Sequence, residues 1–288
     1  MTRKGQVNRR IGKAVPVLFF LIASCAAANA RQRVAVILPE PSAHASKVAQ
    51  LFAEAFRVKF TVLDLSMTEA AFGANRPATP FNMTTAEAKA AAEVIGCETF
   101  LLLRAGTLRR TSLERPEYYE SFVAIYTVDG RSGKLAAWDL ASFEEASSDI
   151  AEKRVLNSAP ALARSNAQRL ANAQSSMPSE LRRPRMEEAV PESAAPDLKP
   201  PIPYNRIKPE YTKTAYLYGI RATVDIEADV DETGTILRTA VVRWAGYGLD
   251  DAVIKAVRSM NWRPAMRGGK PLPMRVLLRY NFTKIEKE

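Results

Sequence analysis

The stretch Ala222-Thr-Val-Asp-Ile-Glu-Ala-Asp-Val230 alternates apolar and polar side chains without an error, with the apolar residues at the even positions. A period of two residues is typical of a β-strand that buries one face and exposes the other. Turn residues follow at 231–234, and a second β-rich stretch runs from Ile236 to Trp244. The pattern therefore predicts a β-hairpin with one apolar face.

The residues after this hairpin predict a helix and a final strand. Apolar residues recur at helical spacing at Leu249, Val253, Ala256, Val257 and Met260. Such a stripe predicts a helix that covers the apolar face of the hairpin. In the last strand Met274, Val276, Leu278, Tyr280 and Phe282 point inward, while Arg275, Arg279 and Asn281 point outward. If the strand from Ala222 is central, its acidic residues can pair with Arg275 and Arg279 on one side and with Arg243 on the other.

An ordered set of residues in this region resembles the C-terminal domain of the TonB family, over roughly residues 203–284. Its signature positions are Pro209, Tyr211, Gly219, Gly234, Trp262, Pro264 and Phe282. Two positions depart from the family pattern: Tyr211 is followed by Thr212 instead of proline, and Ala222 replaces a glycine. The resemblance implies a three-stranded antiparallel sheet with one packed helix, in which the final strand lies at the sheet edge.

The resemblance also implies a function. TonB C-terminal domains dock in the periplasm on short extended segments of outer-membrane receptors, and an open sheet edge can accept such a segment as an added strand. The predicted partner-binding residues are those of the last strand, namely Arg275, Val276, Leu277, Leu278, Arg279, Tyr280 and Asn281. The same edge strand is a candidate for dimerisation.

Residues 31–150 predict a separate small α/β sandwich. Strands are predicted at 33–38, 60–65 and 99–103, with a helix capped by Ser42 between the first two and a helix opened by Thr84 between the last two. This order favours a parallel sheet with right-handed crossovers. Two further strands, at 118–128 and 134–143, predict a hairpin in which Tyr126 and Trp138 share a face. The fold class as a whole is α+β.

The two predicted domains are joined by a helix and a proline-rich segment. Residues 151–175 continue a helical pattern that starts near Ser148, in which Pro160 is expected to kink or split the helix. Residues 176–202 are rich in proline and poor in apolar side chains. They predict a stiff linker with polyproline II character between two independently folding units, with the second domain at 203–288.

Residues 1–30 have the order of a secretory signal peptide: a basic stretch, an apolar run of about 15 residues and small residues up to Ala30. A membrane-spanning helix takes roughly 20 apolar residues, more than this run provides, which favours a cleaved signal peptide. A retained membrane anchor is the alternative interpretation. Cys25 follows Ile22-Ala-Ser24, which resembles a bacterial lipobox, and is therefore a candidate for lipidation. The mature protein is accordingly expected in the periplasm. Cys97 is expected to be a buried small residue.

The composition excludes several classes of function. The chain carries one histidine and two cysteines, which argues strongly against a site for zinc, copper or iron, and no cofactor motif is present. His44 is expected to be a surface residue, and no catalytic set is predicted. The formal charge of +10 includes five basic residues in 1–30, which leaves 36 basic against 31 acidic residues in the rest. Nucleic acid is therefore not an expected partner.

The TonB resemblance, together with the short N-terminal apolar segment, implies a non-enzymatic periplasmic adaptor that docks an extended segment of an outer-membrane TonB-dependent receptor or another envelope protein. An alternative is an energy transducer whose N-terminal segment stays in the membrane. Transducers of the family carry a serine and a histidine in that helix, whereas this segment has Ser24 and lacks histidine. A second alternative is an envelope lipoprotein scaffold. In each case the membrane is reached only through the N-terminal segment or a lipid on Cys25.

Overall fold

A computed structural model describes residues 31–175, 187–189 and 197–283 of the chain. Within them the residues from Arg31 onward form one compact unit. The first part of this unit contains nine elements: β1 (Arg33–Ile37), α1 (Ala43–Arg57), β2 (Thr61–Val62), α2 (Leu65–Ala74), α3 (Thr85–Ile95), β3 (Thr99–Arg110), β4 (Tyr118–Asp129), β5 (Leu135–Glu145) and α4 (Ser148–Ser175).

The first five strands form one sheet in the order β2-β1-β3-β4-β5. β1 pairs in parallel with β2 and β3, while β3, β4 and β5 pair antiparallel, so the predicted change from parallel to antiparallel pairing is confirmed. Helices α1 and α4 cover one face of this sheet. Ser42 caps α1, and Thr84 and Glu87 form the predicted capping box of α3. Tyr126 lies opposite Trp138, as predicted.

One local prediction in this part was wrong, and a second was wrong in part. The strand predicted at 60–65 shrinks to Thr61–Val62, because the Asp64 carboxylate accepts hydrogen bonds from the backbone N–H groups of Ser66 and Met67 and starts helix α2. Pro160 does not split the following helix, since α4 runs continuously over 28 residues with Pro160 inside it.

The second part of the unit contains the remaining elements: β6 (Glu187–Glu188), β7 (Leu198–Lys199), β8 (Ile202–Pro203), α5 (Lys213–Leu217), β9 (Ala222–Val230), β10 (Ile236–Arg243), α6 (Leu249–Arg258), β11 (Trp262–Arg263), β12 (Ala265–Arg267), β13 (Lys270–Leu272) and β14 (Met274–Phe282). The main sheet has the order β10-β9-β14-β6, and β9 pairs antiparallel with both long neighbours. Helix α6 packs on β9 and β10. The predicted three-stranded antiparallel sheet with one helix is confirmed, with β6 added at its edge.

The described part of the proline-rich segment does not behave as a free spacer. β6 pairs with β14, β7 pairs with β12 and β8 pairs with β11. Leu198 is only 1% exposed and packs against Ala265 and Met274. The expectation of a linker that holds two units apart is therefore corrected: residues 187–189 and 197–203 are bound along the C-terminal part.

The two parts share one hydrophobic core, so they are packed together and are not held apart. The rings of Tyr126 and Trp138 in the first sheet contact Trp244 and Tyr247 of the second part, with ring centroids 4.6–6.4 Å apart. The Asn82 amide ties the parts together: its Nδ2 donates to the carbonyl oxygens of Thr223 and Trp244, both at 2.7 Å, and its Oδ1 accepts from the Thr223 N–H at 2.9 Å. Long-range pairings of this kind have no local sequence signal.

Candidate functional site: the outer edge of the last strand

The last strand, β14, has one neighbour along its whole length and another along only two residues. β9 pairs with all nine residues from Met274 to Phe282. On the opposite side β6 pairs in parallel with Met274 and Arg275 alone. Among the described residues no strand pairs with the outer side of Val276–Phe282. This stretch is an open sheet edge.

The hydrogen bonds at this edge define which peptide groups face outward. The Arg275 carbonyl oxygen accepts from the Ala189 N–H at 2.9 Å, so the Arg275 peptide groups point away from β9. Inward and outward groups alternate along an antiparallel strand. The N–H and C=O groups of Leu277, Arg279 and Asn281 therefore also face outward, and those of Val276, Leu278 and Tyr280 face β9. Leu277 and Asn281 thus offer an N–H and a C=O group to an added strand, while Arg279 offers its N–H, because its carbonyl oxygen accepts a hydrogen bond from Arg206 at 3.5 Å.

The polar face of the sheet is held by ion pairs between β9 and its neighbours. Arg279 donates two hydrogen bonds to the Asp225 carboxylate, at 2.7 and 2.9 Å, and Arg275 donates two to Asp229, at 2.6 and 3.0 Å. Arg243 reaches Asp225 from β10 at 3.3 Å. Both aspartates are about 95% buried or more, so these bidentate pairs fix the register of the edge strand, as the sequence predicted.

These pairs also set the charge state of the face. Burial opposes ionisation of Asp225, but the hydrogen bonds and positive charges of Arg279 and Arg243 outweigh it, so the pKa of Asp225 is lowered. The hydrogen bond from Arg275 to Asp229 is the main cause of a raised pKa at Arg275. Asp225 and Arg275 are therefore charged at neutral pH and engaged in ion pairs within the sheet. These residues fix the position of the edge strand, and their charges are already paired within the sheet.

Two features of the edge remain exposed and available. Leu277 is 60% exposed, between Arg275 and Arg279 on the polar face. Arg206, which the sequence analysis missed, lies with its guanidinium 5.6 Å from the Tyr280 ring centroid and donates to the Arg279 carbonyl oxygen at 3.5 Å. Arg206 lies 73 residues from Arg279 in the chain, and no motif connects them.

The seven predicted partner-binding residues therefore fall into three groups. Leu277 and Asn281 present N–H and C=O groups at the open edge, and Arg279 presents its N–H, since its carbonyl oxygen accepts from Arg206. Val276, Leu278 and Tyr280 bond to β9 and turn their side chains toward the helix-covered face. Arg275 already uses its outward carbonyl oxygen for Ala189. The structure brings the seven together on one strand, and their role in binding a partner stays a prediction.

The signature residues build the frame that supports this edge. The Tyr211 hydroxyl donates to the Ile220 carbonyl oxygen at 2.7 Å, and its ring stacks on Phe282 at the end of β14. Gly234 has φ +86°, and a Cβ there would lie 2.0 Å from the carbonyl oxygen of Trp262, so only glycine fits the hairpin turn. Gly219 likewise has a positive φ of +60°, while Pro209 and Trp262 are buried and Pro264 is half-buried.

Residues 207–283 match the family model described as Gram-negative bacterial TonB protein C-terminal. The chain carries a TonB C-terminal domain. The match begins and ends within four residues of the region that the sequence pattern indicated. It indicates an envelope protein, because TonB C-terminal domains interact with envelope proteins such as outer-membrane receptors.

Solved structures similar to parts of the chain include the TonB C-terminal domain of Pseudomonas aeruginosa, at 25% identity, covering 32% of this chain and 90% of that one, with a TM-score of 0.26. Lipoprotein GNA1162 from Neisseria meningitidis is 16% identical. The match covers 49% of this chain and 99% of the lipoprotein, with a TM-score of 0.33. PelC from Paraburkholderia phytofirmans, a dodecamer, is 12% identical. The match covers 46% of this chain and 86% of PelC, with a TM-score of 0.30. No curated protein matches the chain.

His44 is not the surface residue that the sequence suggested. It is 9% exposed, with its Nε2 3.4 Å from the Ser121 Oγ and its Nδ1 3.8 Å from a Glu152 carboxylate oxygen. The order serine, histidine, carboxylate is that of a hydrolase triad. Ser121, however, is completely buried, so its hydroxyl is not exposed to solvent. These residues join α1, α4 and β4, and a non-enzymatic role stays a prediction.

The remaining predictions concern single residues and the N-terminal segment. Cys97 is buried, as expected, and desolvation raises the pKa of its thiol to about 12. Cys25 and the predicted signal peptide at 1–30 lie outside the described residues. Within the described ranges no helix is long and apolar enough to cross a membrane, and no group of three or more metal-ligating side chains is found.

Proposed function

We propose that this protein is a periplasmic adaptor that docks an extended segment of an outer-membrane receptor, or of another envelope transport protein, as an added strand on β14. The observation that carries the proposal is the open edge from Val276 to Phe282. Unpaired N–H and C=O groups at such an edge are a template for a further strand. The match to the TonB C-terminal family model supports the proposal, because domains of this family interact with envelope proteins such as outer-membrane receptors.

The geometry limits how a guest segment would bind. Leu277 and Asn281 offer outward N–H and C=O groups and Arg279 offers its outward N–H, so the guest pairs over about five residues. Backbone hydrogen bonds would supply affinity, and side chains next to Leu277 and Arg206 would supply selectivity. Because Asp225 and Asp229 hold the arginines, the edge is rigid before the guest arrives, which lowers the entropic cost of binding.

The alternation of inward and outward groups provides a sharp test. Leu277→Pro removes an outward N–H while leaving every hydrogen bond between β9 and β14 in place, and proline is tolerated on an edge strand when its nitrogen faces solvent. Leu277→Ala is the matched control, since it removes the exposed side chain and keeps the N–H. The probes are seven-residue synthetic peptides with the sequences of extended periplasmic segments of outer-membrane receptors.

Binding is followed by backbone amide NMR of the mature chain. We expect the peptides to shift the amides of Leu277, Arg279 and Asn281 most strongly, and Leu277→Pro to weaken binding at least about tenfold while Leu277→Ala stays within about threefold. Shifts centred elsewhere, or equal affinity of the proline variant and wild type, would show that the edge is not the docking site.

Whether the N-terminal segment attaches the protein to a membrane needs a separate measurement. The adaptor hypothesis expects a mature chain that starts at Arg31, whereas an acylated chain would start at Cys25 and a transducer would keep Met1. Intact-mass measurement of protein purified from the cell envelope separates the three. A chain that retains residues 1–30 would replace the adaptor by a membrane-anchored transducer.

A further inference from the structure

The edge that we propose as the docking site is partly occupied by the protein itself. Residues 187–189, here called the resident strand, come from the proline-rich segment and lie against the first two residues of β14. Met274 is opposite Glu187, and Arg275 is opposite Glu188. The Ala189 N–H donates to the outward carbonyl oxygen of Arg275 at 2.9 Å. A guest strand that extends to this end of the edge would need the same carbonyl oxygen.

The resident strand is bound by more than one hydrogen bond. Ala189 is half-buried and packs against the small apolar cluster of Leu198, Ala265 and Met274. Glu188 lies close enough to Arg275 to stabilise its positive charge. The segment therefore presents an extended backbone, a carboxylate next to an edge arginine and a small side chain directed at the core. A guest strand at the same end of the edge would have to supply these contacts.

We infer that the resident strand competes with the guest segment for β14, so that a partner must displace residues 187–189 to use the full edge. This inference rests on the proposed function and adds a regulatory step to it. The resident strand leaves the stretch Leu277–Asn281 unpaired, and this stretch gives a guest its first contacts. Arg275 becomes available only when the Ala189 hydrogen bond breaks.

The chain is anchored close to the resident strand on its C-terminal side. Leu198 and Lys199 pair with β12, and Ile202 and Pro203 pair with β11. Displacement of residues 187–189 therefore does not release the whole proline-rich segment. The resident strand stays at high local concentration and returns when the guest leaves, because an intramolecular competitor rebinds at its effective concentration.

The test uses the mature chain and a fluorescein-labelled heptapeptide with the sequence of residues 185–191, Arg-Met-Glu-Glu-Ala-Val-Pro. Ala189→Pro removes the N–H that Arg275 accepts, and Ala189→Ser is the matched control that keeps it. Losing one backbone hydrogen bond of about 1 kcal/mol corresponds to about a fivefold change in affinity. We expect Ala189→Pro to bind the peptide at least about fivefold more tightly than wild type, with Ala189→Ser close to wild type.

Hydrogen exchange supplies a second readout that does not depend on the variants. In wild type, a saturating concentration of the peptide should remove the protection of the Ala189 amide while the amides of β9 stay protected. A peptide with both glutamates replaced by lysine should bind more weakly, because it would place positive charge next to Arg275. Thermal melting of both variants confirms that they fold.

The outcomes separate this inference from the proposed function. Equal peptide affinity for wild type and Ala189→Pro, with Ala189 protection kept, would overturn the competition and leave docking on β14 intact. The competition is also overturned if receptor-derived peptides bind to the edge but the strand peptide does not. If neither peptide class shifts the amides of Leu277 and Asn281, the docking edge itself fails and the competition fails with it.

Discussion

The two main sheets of this protein are stabilised in different ways. The N-terminal sheet is covered on both faces, by α1 and α4 on one side and by α2, α3 and the C-terminal part on the other. The C-terminal sheet has α6 on one face, and on the other it carries the pairs Asp225–Arg279 and Asp229–Arg275. The first sheet therefore packs apolar residues on both faces, whereas the second does so on one face and carries buried ion pairs on the other.

This difference indicates where a partner can bind. A sheet buried on both faces has little to offer except its outermost strands. The C-terminal sheet instead keeps a strand whose register is fixed by aspartates on one side while its other side is open from Val276 to Phe282. A rigid edge of this kind can bind a guest strand without first being ordered itself.

The core that the two sheets share should give the largest effect when it is disrupted. Trp244 is 1% exposed, contacts Tyr126 and donates its indole N–H to the Gly133 carbonyl oxygen at 3.1 Å. We expect Trp244→Ala to lower the free energy of unfolding by about 3–5 kcal/mol, because it leaves a cavity between the sheets. Urea denaturation measures this loss of stability.

Leu237→Ala on the exposed side of β10 is the control for Trp244→Ala, and its free energy of unfolding should stay within about 0.5 kcal/mol of wild type. A small effect for Trp244→Ala would mean that the sheets fold independently.

The next effect isolates the polar tie between the sheets. Asn82→Ala removes three hydrogen bonds to Thr223 and Trp244 and leaves the Thr223 N–H without that partner. We expect a loss of about 2–3 kcal/mol in the free energy of unfolding. Asn75→Ala, at an exposed position in the preceding loop, is the matched control. If Asn82→Ala and Asn75→Ala unfold at the same urea concentration, the Asn82 hydrogen bonds do not stabilise the packing of the two parts.

The ionic face of the C-terminal sheet can be tested through Asp225. Because the pKa of Asp225 is lowered in the folded state, its contribution to stability is present above its unfolded pKa of about 3.8 and is lost as the pH falls below that value. Asp225→Asn should cost about 2 kcal/mol at pH 7 and should flatten the acid side of the stability profile. The exposed Glu232→Gln serves as control. An unchanged acid slope in Asp225→Asn would show that this carboxylate does not contribute to acid sensitivity.

The sequence predicted the parts of the fold that depend on local periodicity. The two-residue period of Ala222–Val230 identified the central strand, its buried face and the acidic residues that pair with arginines on both neighbours. The start of α2 was overlooked because the Asp64 cap follows a run that also fits a strand. Pairings with β6, β7 and β8, the Asn82 contacts and the position of Arg206 could not be predicted, since each joins residues whose contact depends on the finished fold.

The smallest expected effects are on the pH dependence of stability and come from one titrating group in each part, His44 in the first and Asp250 in the second. Burial lowers the pKa of His44, with Glu152 opposing and Lys47 adding to the shift, so stability should rise as the pH increases toward the unfolded pKa of 6.5. Burial raises the pKa of Asp250 to about 6, against the hydrogen bonds it accepts from the Ala245 and Gly246 N–H groups. Its contribution is therefore fully present below about pH 3.8 and is lost as the pH rises through 6.

Below about pH 6, where both groups titrate, their contributions should oppose each other, each with a slope of at most about 1.4 kcal/mol per pH unit. Relative to wild type, His44→Gln should lose stability as the pH rises, because Asp250 then acts alone. Asp250→Asn should gain stability over the same range, because only His44 still titrates. Urea midpoints at half-unit pH intervals measure both differences. Parallel profiles for wild type and the two variants would contradict the assignment, whereas opposite slopes would show that one cooperative unit senses pH from both of its parts.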